Sequence, residues 1–319
     1  MIYPWQQSNW SQFLSMRQRQ RLPHAILLSG DIGLGKNALA EEMVVSLLCL
    51  NQQEAGHACG QCHSCQLFIA GTHPDHIFIQ PEEAGKQIKI DQIRELKSKQ
   101  SLTPNIADYK TVVISPADGM TVSAANSLLK LLEEPQDNTI LLLLSSVPHK
   151  LPITIRSRCQ VMKIIPPDRP QALDWLQQQA NISQRDDWNS LLDITNNAPL
   201  AAVQVAETGV EWIQQIDTDF RHLIEGRGNP VEMASRWQNF DLIKVLQQLQ
   251  RWTQQQISDG LIGEKSGSRR SQVSLHWQLA DCILSTIKLI SSQNNFNKTL
   301  LIEDFMVSVK QIFAAKSSS

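Results

Sequence analysis

The sequence predicts an α/β protein, a doubly wound parallel-sheet domain built around a glycine loop, with a wholly helical second half. Three observations predict it. Short apolar runs alternate with helical patterns through the first half; GDIGLGKN (30–37) follows one such run and opens a helix; and strand-like runs stop after the prolines at 166–167.

HAILLSG (24–30) reads as a buried strand feeding the loop, and KNALAEEMVVSLLCL (36–50) as the helix after it. HIFIQ (76–80), TVVIS (111–115), TILLLLSS (139–146) and QVMKII (160–165) are further strands, rich in Val, Ile or Leu and bounded by polar or turn residues. VSAANSLLKLLEE (122–134) sets Ala125, Leu128, Leu129 and Leu132 at helical spacing, and Pro135 closes it because proline cannot continue the hydrogen-bond ladder. Asp168 caps the first of two or three short helices that reach Glu207. Longer amphipathic segments follow over 210–226, 242–258 and 273–291, and the Gly-, Ser- and charge-rich stretch 260–272 is expected to loop between helices. The expected domains are 1–166, carrying the sheet, a small helical domain over 167–207, and an all-helical domain over 208–319.

The 319 residues are 42% apolar and 19% charged, as in an ordinary globular protein. No apolar run reaches the roughly 18–20 residues a bilayer crossing needs, so no membrane span is expected. The opening MIYPWQQSNW is aromatic and polar rather than basic then apolar, which predicts no secretory signal and a cytoplasmic location. A net charge of -2 means that any nucleic-acid contact must come from a local basic surface or from partner chains.

The glycine loop nearly matches G-x-x-x-x-G-K-[ST], in which backbone N–H groups close on phosphate, lysine neutralises charge and a hydroxyl holds Mg²⁺. Gly30, Gly33, Gly35 and Lys36 are present, so Lys36 could still meet a phosphate, but Asn37 stands where the hydroxyl belongs. An amide is the poorer magnesium ligand in that geometry. The strand that should end in metal-holding and water-activating carboxylates ends instead in Ser115 and Pro116. Asp118 follows the proline and belongs to a loop. The loop is therefore degenerate, with weak or no nucleotide binding, and a tight strand-to-helix turn without a ligand is the plainer reading of it.

Cys49, Cys59, Cys62 and Cys65 have metal-ligand spacing, with Gly60 to tighten the chain around an ion. Four thiolates suit a tetrahedral structural Zn²⁺ and leave no position open for water. His57 and His63 lie within this module, which spans about 49–72, and could replace a sulfur. A nucleic-acid-reading knuckle would carry basic and aromatic residues between its ligands, whereas HACGQCHSCQLF has no Lys or Arg, so scaffolding is the expected role. Cys159 and Cys282 are isolated and read as packing residues. Arg156 and Arg158, in IRSRCQ, lie near the sheet domain's edge as solvated charges or as an arginine offered to a neighbour's nucleotide.

In this order the glycine loop, the four-cysteine module, NSLLKLLEEP (126–135), LSSVPHKLPITIRSRCQ (144–160) and the helical remainder resemble bacterial clamp-loader subunits of the AAA+ class, and among them the delta-prime family of DNA polymerase III. The resemblance covers the first 165 residues closely and the rest thinly. It implies an AAA+ sheet domain with an inserted zinc module, a helical lid and a helical collar that assembles with sister subunits. It also implies a stator without its own ATPase activity, within a nucleotidyltransferase complex, whose partners are the clamp-loader ATPase subunits, the delta subunit and, through them, the sliding clamp and primed DNA. ATP would be bound by those partners, and Arg158 of Ser157-Arg158-Cys159 would reach the neighbour's γ-phosphate in trans. Ser145 or Ser146 falls where active members keep a polar sensor. The competing expectation is an active ATPase, either a sister subunit or an independent enzyme with Asn37 and Asp118 as unusual metal ligands.

Overall fold

In the computed structural model the described residues are 2–53, 56–83, 86–100, 103–135, 138–179, 188–208, 211–240, 242–262, 267–291 and 297–314. They fall into two compact units, Met1–Val203 and Gln204–Ser319.

The first unit opens with a 3₁₀ turn at Pro4–Gln6 that runs into α1 (Gln7–Gln18). Five strands follow, β1 (Ala25–Ser29), β2 (His76–Ile79), β3 (Lys110–Ile114), β4 (Thr139–Ser145) and β5 (Gln160–Lys163), in one sheet of order β2-β3-β4-β1-β5. Every pairing is parallel. Pleating sends alternate side chains to opposite faces. Ile26, Leu28, Ile140, Leu142 and Leu144 enter one core with Trp10, Phe13, Leu39 and Met43 from α1 and α2 (Lys36–Leu48). Leu27, Leu141 and Leu143 enter the other with Ile93 and Leu96 from α4 (Ile90–Gln100) and Ala125, Leu128 and Leu132 from α5 (Val122–Glu133). Helices on both faces explain why β1 and β4 are buried along their whole length and read as unbroken apolar runs. α3 (His63–Ile69) sits in the insertion after α2, and α6 (Ile153–Arg156) is a single turn between β4 and β5.

After β5, Asp168 caps α7 (Arg169–Gln177) by accepting the Gln171 N–H at 2.9 Å. α8 (Trp188–Ile194) and α9 (Pro199–Thr208) follow. The second unit holds α10 (Glu211–Ile224), α11 (Pro230–Trp237), α12 (Leu242–Ile262), α13 (Gly267–Ser291) and α14 (Lys298–Ala314) around a core that includes Trp237, Leu246, Leu279 and Phe305. The loop expected over 260–272 is corrected here: α12 continues to Ile262 and α13 begins at Gly267, with 263–266 outside the described residues. Once buried residues such as Leu246, Leu249 and Leu279 hold the two helices, each further residue costs only propagation, which Gly and Ser penalise by about 1 kcal/mol or less. Among the described residues, no helix is long and apolar enough to cross a membrane.

Asp219 is a buried charge in the second unit. Only 2% exposed, it accepts two bonds from Arg236 at 2.6 and 3.2 Å, one from Trp237 Nε1 at 3.1 Å and one from Gln215 at 3.0 Å. Asp219→Ala leaves the buried indole N–H without its acceptor and is expected to destabilise this unit by about 2–3 kcal/mol. Urea unfolding checks this, and a loss below about 0.5 kcal/mol would show that the network is dispensable.

Candidate nucleotide loop, metal centre and arginine

The loop between β1 and α2 is braced by its own chain. Trp5 Nε1 donates to the Leu34 carbonyl at 3.0 Å, and Gln6 Nε2 donates to the Leu34 and Gly35 carbonyls at 2.7 and 2.9 Å. Tyr3 stacks on Trp5 with ring centres 5.0 Å apart, and both meet Trp175 of α7 edge-on. From the other side the Leu200 N–H donates to the Gly33 carbonyl at 3.2 Å. A Cβ built on Gly33, whose φ is +83°, would stand 2.4 Å from that of Ala201, so only glycine fits beneath α9. Asn196 Nδ2 donates to Asp31 Oδ2 at 2.9 Å. Lys36 Nζ turns back to the Gly30 and Asp31 carbonyls at 2.8 and 2.9 Å; burial lowers its pKa, against the opposing pull of Asp31 and Asp118.

The two positions that would hold magnesium meet each other. Ser115, just past β3, donates its hydroxyl to Asn37 Oδ1 at 3.1 Å. Asp118 lies in a 3₁₀ turn, Ala117–Gly119, where its Oδ1 accepts the Ser146 N–H at 3.1 Å. Ser145 is fully buried, its Oγ accepting the Val147 N–H and its carbonyl the Gly30 N–H.

The four cysteines do converge. Cys49 follows the last residue of α2, Cys59 and Cys62 flank a turn at Gly60 with φ +70°, and Cys65 lies in the first turn of α3. Their sulfurs all lie within 4.8 Å of one another, with Cys49 to Cys59 at 3.6 Å and Cys49 to Cys62 at 4.0 Å. Zn–S bonds of about 2.3 Å in a tetrahedron require sulfurs about 3.8 Å apart, so this cluster could hold a metal ion and is compatible with zinc. Backbone N–H groups of Cys59, Gln61, Cys62 and Cys65 point at the sulfurs of Cys49, Cys59 and Cys62. At Cys62, burial opposes ionisation, but N–H donors from Cys65 and Leu50 and the neighbouring thiols pull the pKa to about 6. Burial pushes Cys65 and Cys49 up, and the N–H groups of Gln61 and Cys62 bring Cys59 down. A metal would demand all four as thiolates, releasing protons on binding.

Sequence reading missed what holds this module in place. His57 pairs with Glu42 at 2.9 Å and stacks on Trp10 at 5.0 Å, while His63 is exposed. Ser64 donates to the Leu48 carbonyl at 2.6 Å and lies 2.7 Å from His73 Nε2. Because His73 Nδ1 accepts the Asp75 N–H, Nε2 carries the proton and donates to Ser64. Cys159 and Cys282 are partly buried against apolar neighbours, and desolvation raises both thiols.

Arg158 follows α6 and stands apart from these groups. Its Nη2 pairs with Glu133 Oε1 at 2.8 Å and its Nη1 donates to the Thr154 carbonyl at 2.9 Å. Arg156 keeps a buried Nε with no protein acceptor among the described residues.

A parallel sheet of this order, with a glycine loop following β1 and α9 seated on that loop, makes the first unit a P-loop domain of the AAA+ type. The family profile described as "DNA polymerase III, delta subunit" matches residues 5–168. A Pseudomonas aeruginosa protein named DNA polymerase III subunit delta' is 35% identical over 325 residues, 96% of each chain, and its Haemophilus influenzae namesake is 30% identical over 282 residues, covering 88% of this chain and 81% of that one. A gamma-subunit-related protein from Thermotoga maritima superposes with a TM-score of 0.48 at 20% identity, covering 95% of this chain and 99% of that one. The chain belongs to the DNA polymerase III delta' subunit family.

The purified protein is expected to carry one zinc per chain by elemental analysis, and Cys65→Ser to lose it along with cooperative unfolding of the module. Full metal retention in that variant would show that this thiolate is not a ligand.

Proposed function

We propose that this chain is the non-hydrolysing stator of a replicative clamp loader: it neither anchors magnesium nor turns over ATP, and it presents Arg158 in trans to the nucleotide of a neighbouring ATPase subunit. The observation that carries this reading is the Ser115–Asn37 hydrogen bond. It joins the two side chains that hydrolysing relatives would supply as a hydroxyl and a carboxylate to one metal ion, and neither is a strong ligand for a hard divalent cation. Trp5, Gln6 and Leu200 brace the loop through three of its carbonyls, and Lys36, the residue that would neutralise phosphate charge, bonds to the loop's own Gly30 and Asp31 carbonyls. Gly30, Gly33, Gly35, Lys36 and Asn37 then serve as architecture, with weak or no nucleotide binding.

On this reading Arg158 stabilises charge that grows on the transferred phosphoryl group, a contribution worth roughly 10³–10⁵ in rate where it has been measured in related chemistry. Its planar guanidinium grips two phosphate oxygens at once, which lysine cannot do. The partners are the clamp-loader ATPase subunits and the delta subunit, and through them the sliding clamp and primed DNA in the cytoplasm. ATP is bound by the partners, and zinc held by Cys49, Cys59, Cys62 and Cys65 has a structural role. Residues 1–166 form the AAA+ domain, 167–207 the lid and 208–319 the collar. An intrinsic ATPase would need Asp118 on a metal, and that carboxylate already accepts the Ser146 amide.

The lone chain is expected to show no ATP turnover, and Asn37→Thr to leave it inactive, because the returned hydroxyl still faces Ser115 rather than a carboxylate. Turnover by either protein would refute the stator reading. In the reconstituted complex, Arg158→Ala is expected to cut DNA-stimulated ATP turnover by about tenfold or more, and unaltered clamp loading by that variant would remove Arg158 from the mechanism.

A further inference from the structure

α5 ends against the usual rule for charge. The carbonyl end of a helix carries partial negative charge and favours cations; Lys130 in the last turn of α5 obeys that rule, yet Glu133 is the last residue of the helix, Glu134 caps it and Pro135 ends it. Two carboxylates at that pole have a local cost, and such departures concentrate where function requires them. Glu133 spends its charge on Arg158, at 2.8 Å.

The geometry of that pair is specific. Thr154 contributes a carbonyl from the one-turn helix α6, which accepts from Arg158 Nη1 at 2.9 Å and from Ser157 Oγ at 3.2 Å. The carbonyl fixes one side of the guanidinium and the carboxylate the other, so both terminal nitrogens are committed within the chain while each keeps a second N–H. The pair is also accessible, its side chains being 37% and 48% exposed. An ion pair this exposed is weak and exchangeable. A phosphate offers the guanidinium two oxygens and more charge where the carboxylate makes one contact.

We propose that Glu133 is a positioning residue for Arg158: its carboxylate occupies the phosphate's place on the guanidinium until a nucleoside triphosphate on the neighbouring subunit displaces it. This rests on the reading of Arg158 given above. Glu133 acts on engagement and not on the chemical step, because once phosphate is bound the carboxylate has left. Its removal therefore changes the nucleotide concentration required and leaves the maximal rate alone.

The test uses the reconstituted complex, with ATP turnover measured across ATP concentration. Glu133→Gln keeps shape and removes charge; it is expected to lower the half-saturating ATP concentration about two- to fivefold at unchanged maximal rate. Glu133→Asp, which retains the charge, is expected to restore most of the wild-type value. Combined with Arg158→Ala, the Glu133→Gln effect disappears, as a double-mutant cycle requires of a residue acting through another. An unchanged half-saturation, a lowered maximal rate, or the same shift in the Arg158→Ala background overturns the proposal. An impaired Arg158→Ala beside an unaffected Glu133→Gln refutes the exchange alone, whereas an unaffected Arg158→Ala removes the arginine reading beneath it as well.

Discussion

The hydrogen bond from Ser115 to Asn37 is the constraint on which the reading of the first unit depends. A P-loop works by leaving its polar groups pre-aimed and unspent until phosphate and magnesium arrive. Here the side chains that would meet phosphate and magnesium have partners within the chain, and the loop is braced through its carbonyls. Ser115 and Asn37 satisfy each other, Lys36 bonds to the loop's own carbonyls, and Gln6 and Leu200 take the carbonyls of Leu34, Gly35 and Gly33. The glycines still have a task, which is to let α9 seat on the loop: Ala201 occupies the volume that any side chain at Gly33 would need.

The cysteine module extends the same logic outward from α2. Arg17 of α1 donates to the Ser46 carbonyl and hydroxyl, and Ser46 Oγ donates to the Gly56 carbonyl in the module. Ser64 and His73 tie α3 to the end of α2 and to the approach of β2. An insertion this short has too little core of its own, and ligand convergence is what would stabilise it with metal bound. Its polar ties run to Ser46, Leu48 and His73, which fits a scaffold.

Two arginine–carboxylate pairs show how burial decides what a charge pair does. Asp219 is enclosed and receives four donors, so losing it strands a buried indole N–H; that pair belongs to stability. Glu133 and Arg158 meet near water with one direct contact, where screening leaves little net energy and low resistance to exchange. An arginine–carboxylate pair is thus a lock in one unit and a weak, exposed contact in the other.

Much of this was legible in order along the chain. The strands were readable because a sheet covered on both faces demands unbroken Val, Ile and Leu, and the cysteines because ligand spacing is a short-range geometric signal. Asn37 and the Ser115-Pro116 ending were visible as departures from a pattern. The Gly- and Ser-rich stretch after Gly260 misled, since local composition weighs less than the burial of the helices on either side. What the sequence by itself determined was whatever acts within a turn or a strand: periodicity, caps and ligand spacing. Only the tertiary structure decided that Gln6 closes the loop, that Ser115 lies beside Asn37, and that Glu133 holds Arg158. These partners are far apart in the chain, and only the folding of the first unit, with its N-terminal turn packed on the loop and its strands joined by crossovers, brings them within hydrogen-bonding reach.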